Sequence, residues 1–204
     1  MTAVIIASGR MVDYVYIKRY IKAGDFIICA DGGYHHAIKM GLTPDVLVGD
    51  FDSIGTLPTH VKTIQYPTDK DYTDTELALA YARSQGFKSF LFLGVIGSRM
   101  DHSLGNILML KDILAAQEKA MILDEHNKII LVDSQLQLQE PPGSTVSLIP
   151  LADCYGVTTH SLQYPLKDAF MAVGKSIGIS NVTTQNHATI TLTQGLLLVV
   201  VAQD

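Results

Sequence analysis

The chain has 204 residues, with 15 Lys+Arg against 20 Asp+Glu for a formal net charge of −5, and 48% of it is hydrophobic while 17% is charged. That is enough chain for one domain or two small ones, and a mean hydropathy of +0.23 excludes a disordered chain. A mildly acidic balance without a basic run gives no footprint for a phosphate backbone, so no nucleic-acid partner is expected.

The first ten residues, MTAVIIASGR, contain a short apolar run but no basic leader or cleavage signature, and the longest apolar stretch, 196–202, is too short to span a bilayer. A cytoplasmic protein with no membrane partner is the expectation. Residues 4–7, 26–30, 46–49, 90–95 and 121–123 are apolar at successive positions and end near Gly or Asp, the signature of strands buried on both faces. Residues 73–85 carry Leu77, Ala80, Tyr81 and Ser84 at helical spacing. Thr73 and Glu76 form a capping-box pair there, and Gly86 follows as a stop. A second helix is expected over 103–118. Cys29 and Cys154 lie far apart and outside any CxxC pair, so neither a disulfide framework nor a zinc site is expected.

Beyond about residue 130 the texture changes. Residues 129–132, 135–139, 145–150, 163–165 and 188–202 alternate or run β-branched between Pro141-Pro142-Gly143, Gly156, Gly174 and Gly178, and charge is sparse. The expected fold class is therefore α/β: a mostly parallel α/β sheet domain over 1–130, followed by a β-sandwich domain over 131–204.

The acidic residues of the first half gather just after the strands. Asp31 follows FIICA, Asp50 and Asp52 lie in GDFDS, Asp69, Asp71 and Asp74 lie in DKDYTDTE, and Asp101 closes GSRMD. In an open α/β sheet the ligand crevice lies outside the carboxyl ends of the strands, so these loops bring carboxylates to one edge. Crowded carboxylates call for a cation, and Mg²⁺ is the economical one: Asp50 and Asp52 can place two oxygens on one ion and Asp74 a third. Each feature also has an ordinary structural explanation. Asp74 after the Thr73 cap suits the helix dipole, Asp31-Gly32-Gly33 suits a turn, and Arg99 can simply pair with Asp101. Arg99 otherwise offers a forked donor to phosphate oxygens, beside Gly94 and Gly97, which allow close backbone approach. His102 has no evident partner and reads as structural, and His35, His36, Glu125 and His126 read as surface or core polar groups. The ending Gly174-Lys175-Ser176 mimics a P-loop tail, but Ala169 stands where its first glycine would be.

In order, ADGG at 30–33, GDFDS at 49–53, DKDYTDTE at 69–76 and GSRMDH at 97–102 resemble the thiamine pyrophosphokinase family, and the resemblance extends over the whole chain. It implies an N-terminal α/β catalytic domain and a C-terminal β-sandwich that together make thiamine diphosphate and AMP from thiamine and ATP. By the resemblance, Asp50, Asp52 and Asp74 hold Mg²⁺ on the triphosphate and Asp31 lies near the reacting groups. Asp71, Lys70, Thr73, Arg99 and Asp101 line the ATP side. The family implies a homodimer whose thiamine site is built at the subunit interface, with Ser180 and Asn181 as this chain's contribution. Either Asp31 or Asp71 can accept the alcohol proton or hold a second ion. The chain has no Trp, so any stacking of thiamine on indole is lost or replaced. Two other classes compete. VLVGDFDSI also resembles the opening of aspartyl-phosphate phosphatases, and the β-rich half could be a non-catalytic ligand-sensing module on a nucleotide-binding core.

Overall fold

Residues apolar on both faces become the strands of a parallel sheet. In a computed structural model describing residues 1–51, 58–69 and 71–203, the chain divides into two units, Met1–Glu125 and His126–Asp204. In chain order the first unit holds β1 (Ala3–Ile6), α1 (Tyr14–Lys18), β2 (Phe26–Ala30), α2 (Gly33–Lys39), β3 (Val46–Gly49), β4 (Lys62–Gln65), α3 (Asp74–Ser84), β5 (Ser89–Leu93), α4 (Met100–Ala115) and β6 (Lys119–Leu123). The strands lie in the order β6-β5-β1-β2-β3-β4, and each pair is parallel. All four residues of β1 are buried. Val4, Ile6, Ile27, Cys29 and Leu47 pack with Ile17 of α1 and with Ala37 and Met40 at α2. Alternate positions such as Ile5, Ile28 and Val46 are buried on the opposite face, the side on which α3 covers β1, β2 and β3.

Sequence periodicity is a good guide where the signal is strong. α3 begins at the Thr73 cap with both halves of the capping box made, and Gly86 follows at φ +85°. α4 differs from the expected 103–118. It starts at Met100, because Arg99 is the extended residue before the first turn, and it ends at Ala115, after which Gln117 turns left-handed at φ +58°. α1, α2 and β4 were not expected. α1 is five residues long, α2 has a glycine cap with no side-chain hydrogen bond, and β4 is largely exposed, so none carries a full apolar period.

The second unit is built of β7 (Asn127–Val132), β8 (Gln135–Gln139), β9 (Thr145–Pro150), β10 (Cys154–His160), β11 (Ala169–Met171), β12 (Asn181–Val182), β13 (His187–Thr191) and β14 (Leu197–Ala202). They form two antiparallel layers, β12-β9-β14-β7 and β11-β10-β13-β8. Val132, Val146, Leu148, Leu197 and Val199 of one layer share a core with Leu138, Cys154, Val157 and Ile190 of the other, which is a β-sandwich. The expected strand at 163–165 is not one. The Tyr164 N–H donates to Asn181 Oδ1 at 3.0 Å and Pro165 has no N–H to give, so the ladder passes instead to β10, unexpected from the sequence. The expected run at 188–202 divides into β13 and β14, with Gly195 at φ +119° between them. The P-loop look-alike begins in β11 and turns at Gly174, φ +79°.

Candidate active site

Chain order determines where the first unit can take a ligand. From central β1 the chain moves outward through β2, β3 and β4, returns through α3 to β5 on the other side of β1, and continues to β6. The reversal lies between β1 and β5, where loops leaving the carboxyl ends diverge and open a crevice. A cleft of about 490 Å³ occupies this place. Its walls come from Ser8, Gly9 and Arg10 after β1, Asp31 after β2, Thr73 and Asp74 at the start of α3, and Gly94 and Arg99 after β5.

The cleft walls approach so closely that only glycine fits. A Cβ on Gly9 would lie 2.4 Å from the Gly94 carbonyl oxygen, and one on Gly94 2.4 Å from that of Ala7. The Ala7 N–H donates to Leu93 O at 2.8 Å and the Gly9 N–H to Gly94 O at 2.7 Å, so the two loops are laced past the ends of their strands. The loop after β5 is held from α4: Ser103 Oγ accepts from the Gly97 N–H at 3.0 Å, and buried Asn106 donates from Nδ2 to the Val95 carbonyl at 2.8 Å.

Among the sequence-predicted residues, Asp31, Thr73, Asp74 and Arg99 line this cleft. Asp31 sits at φ 44° and its N–H donates to Val48 O at 2.9 Å. A Cβ on Gly49 would lie 3.2 Å from the Asp31 Cβ, so Asp50, the next residue, leaves β3 directly beside Asp31. Asp69 and Asp71 lie before α3 and are exposed. Asp52 and Lys70 lie outside the described residues. Asp101 stands on the first turn of α4, where Arg99 grips it through two hydrogen bonds, Nη2 to Oδ2 at 2.6 Å and Nε to Oδ1 at 3.2 Å. Those bonds hold the exposed Asp101 carboxyl at about 2 and raise the Arg99 guanidinium above its ordinary value. Asp101 with Thr73, Glu76, His102 and Met109 lines a side hollow of about 250 Å³ between α3 and α4.

The donor chemistry fits a hard divalent cation. Asp31 and Asp74 line the cleft from two separate loops, and Mg²⁺ is typically held by one or two carboxylates with waters and phosphate oxygens completing its shell. Among the described residues no group of three or more His, Cys, Asp or Glu that could hold a metal ion is found.

Sequence reasoning overlooked Ser8, Gly9, Arg10, Ser98 and Asn106, which line the cleft together with His102. The available signal was Ser8-Gly9-Arg10 directly after an apolar strand, the same strand-then-glycine pattern that drew attention to Gly94 and Gly97. In the second unit Ser180 is exposed at φ 57°, its N–H donating to Ser147 Oγ at 3.0 Å. Asn181 is buried, its Oδ1 accepting from the Tyr164 and Val182 N–H groups and its Nδ2 donating to Tyr164 O at 2.7 Å. No helix among the described residues is long and apolar enough to cross a membrane.

Comparison with known proteins accounts for both units. The family model described as thiamin pyrophosphokinase, catalytic domain, matches residues 17–123, and thiamin pyrophosphokinase, vitamin B1 binding domain, matches 129–197. Thiamine pyrophosphokinase of Bacillus subtilis is 27% identical over 190 residues, 87% of either chain. The crystal structure of thiamine pyrophosphokinase from Bacillus subtilis superposes with a TM-score of 0.90 at 25% identity over the full length of both chains. A thiamin pyrophosphokinase family protein from Enterococcus faecalis, at TM-score 0.85 and 22% identity over both full chains, shares the fold. These likenesses lend nothing to the phosphatase or the sensing-module alternative. Two successive domains of one enzyme, matched in order and in the same fold from end to end, place this chain in the thiamine pyrophosphokinase family.

Proposed function

We propose that the chain transfers a pyrophosphoryl group from ATP to the hydroxyethyl oxygen of thiamine, releasing thiamine diphosphate and AMP. The observation that carries this reading is the cleft at the β1/β5 reversal, where Asp31, Asp74 and Arg99 meet from three separate loops of the unit matched to the catalytic domain. Positioning and charge stabilisation do most of the work in phosphoryl-type transfer, and a carboxylate-and-guanidinium cleft provides both. Asp50, Asp52 and Asp74 are the residues that would hold Mg²⁺, which when bound neutralises triphosphate charge. Lys70, Asp71, Thr73, Arg99 and Asp101 belong on the nucleotide side. Asp31, at the cleft wall, accepts the alcohol proton as the thiamine oxygen forms its bond to the β-phosphorus and the bond from that phosphorus to the AMP oxygen breaks. Asp71 lies outside the cleft lining, which favours Asp31 for this role. The acidic wall also attracts the cationic thiazolium.

The thiamine half of the reading is supported by the vitamin B1 binding domain match over 129–197. Exposed Ser180 is the direct contact of its pair, and Asn181, spent on the Tyr164 backbone, shapes the loop that carries it. A homodimer with thiamine bound at the subunit interface, working in the cytoplasm where ATP is available, completes the proposal. The test is incubation of the purified protein with ATP, Mg²⁺ and thiamine, with both products separated by chromatography. Equal amounts of AMP and thiamine diphosphate are expected. ADP with thiamine monophosphate, or free phosphate alone, overturns the assignment.

A further inference from the structure

Gly9 is held by both of its peptide groups. Its N–H donates to the Gly94 carbonyl at 2.7 Å across the crevice, and its own carbonyl lies 2.8 Å from Nε2 of His36 on α2. A carbonyl only accepts, so Nε2 carries a proton, and in the neutral ring Nδ1 accepts from the Tyr14 hydroxyl, 2.9 Å away. Burial disfavours the charged ring and lowers the pKa of His36, although the Gly9 and Ser8 backbone groups oppose the shift. Lys39 and His35, the charged and titratable neighbours on α2, push in the same direction as burial. Lys39 also lies over the Tyr14 ring, with Nζ 5.9 Å from its centroid. The residue that follows this doubly tethered glycine is Arg10, which lines the cleft.

The charge balance of the cleft gives Arg10 a purpose. Arg99 on the opposite wall is already engaged by Asp101, and Asp31 and Asp74 add negative charge. Arg10 is exposed and makes no ion pair among the described residues, which leaves its guanidinium as the uncompensated cation of the lining. A polyphosphate entering the cleft meets the forked donor geometry that suits phosphate oxygens. Resting on the reading of this cleft as the ATP site, we infer that Arg10 binds the phosphate chain of the nucleotide and that His36 is the positioning residue that sets its loop through the Gly9 carbonyl.

The test measures ATP and ADP binding by calorimetry, without thiamine, alongside KM for ATP and for thiamine in the full reaction. Arg10→Ala should weaken nucleotide binding and raise KM for ATP about 10- to 100-fold, the worth of one charge-assisted hydrogen bond, with KM for thiamine unchanged. Arg10→Lys should recover part of the loss, and Arg19→Ala, which removes the same charge from the exposed end of α1, should leave KM for ATP unchanged. An equal effect from Arg19→Ala would show a diffuse charge effect and overturn the assignment. His36→Ala should raise KM for ATP, with recovery in His36→Gln, whose amide can still donate to Gly9. In an Arg10→Ala background His36→Ala should add nothing to KM for ATP, and additive effects would overturn the positioning role. If the parent protein makes thiamine diphosphate while Arg10→Ala leaves ATP binding intact, this inference fails and the proposed function stands. If the parent protein binds ATP through Arg10 but does not act on thiamine, the reverse holds.

Discussion

Asp31 adopts a left-handed conformation that Asp and Asn tolerate better than other side chains, so Asp31→Asn keeps the backbone while removing the charge. We expect a fall in kcat of about 10²- to 10⁴-fold with KM for ATP and the circular dichroism little changed, the signature of a lost proton acceptor; an unchanged kcat would remove Asp31 from that role. Asp50→Ala, Asp52→Ala and Asp74→Ala should each abolish Mg²⁺-dependent turnover while the fold persists. Near-normal activity in any of them, with unchanged circular dichroism, would release that residue from the metal assignment. Burial pushes the thiols of Cys29 and Cys154 up, Asp45 adding to the effect at Cys29 and Asp153 at Cys154, where a Leu196 carbonyl contact opposes it. Neither should react with an aromatic disulfide reagent until the protein is unfolded, and rapid labelling of the native protein would contradict their burial. The acidic motifs were legible in the sequence because each stands in a short local pattern. Arg10 and His36 were not, because their significance arises only when Gly9 meets Gly94 and α2 meets the loop after β1.

At the scale of elements, α3 shows how local signals and site geometry coincide. Thr73 caps the helix through Glu76 N–H at 3.2 Å, receives the Glu76 carboxylate on its own N–H at 2.8 Å, and lines the cleft as well. Thr73→Ala should cost about 1 kcal/mol, seen as a fall of roughly 2–4 °C in Tm, and also raise KM for ATP. Serine at this position should restore both, and recovery of stability alone would remove the residue from the nucleotide side. Gly33 opens α2 against β1, where a Cβ would lie 1.9 Å from the Ile6 carbonyl oxygen. Gly33→Ala should therefore leave little folded protein by circular dichroism. The capping box, the Gly86 stop and the apolar runs were readable because they act within a few residues. α2 and β4 were unreadable for the opposite reason: the first depends on a close approach to a strand remote in sequence, and the second on pairing with β3 rather than on its own burial.

At the scale of the molecule, the edge of the parallel sheet opposite the cleft is secured by charge. The Glu118 side chain, 2% exposed, accepts from Arg83 Nε at 2.8 Å and from Lys88 Nζ at 2.9 Å, while Arg83 Nη1 reaches Asp112 at 2.7 Å, so α3, α4, β5 and β6 are tied together there. Burial opposes the charge on Glu118, but these cations outweigh it and hold the carboxyl below its ordinary value near 4.5. Its stabilising contribution is therefore complete above that value and disappears as pH falls through the lower folded-state pKa. Glu118→Gln should cost about 1–3 kcal/mol near neutral pH and flatten the acid limb of a stability-against-pH curve measured by denaturant unfolding; an unaltered acid limb would remove Glu118 as its source. The sequence alone determined the α/β-plus-sandwich class, the buried strands and the acidic motifs, because apolar period, capping and motif spacing are properties of neighbouring residues. Only the tertiary structure decided that β5 returns beside β1, that glycines at the two strand ends nearly touch, and that Asp31, Asp74, Arg10 and Arg99 therefore share one cleft. Those relations depend on strand order and register, which join residues roughly 20 to 90 positions apart and are set by how the whole sheet buries its two faces.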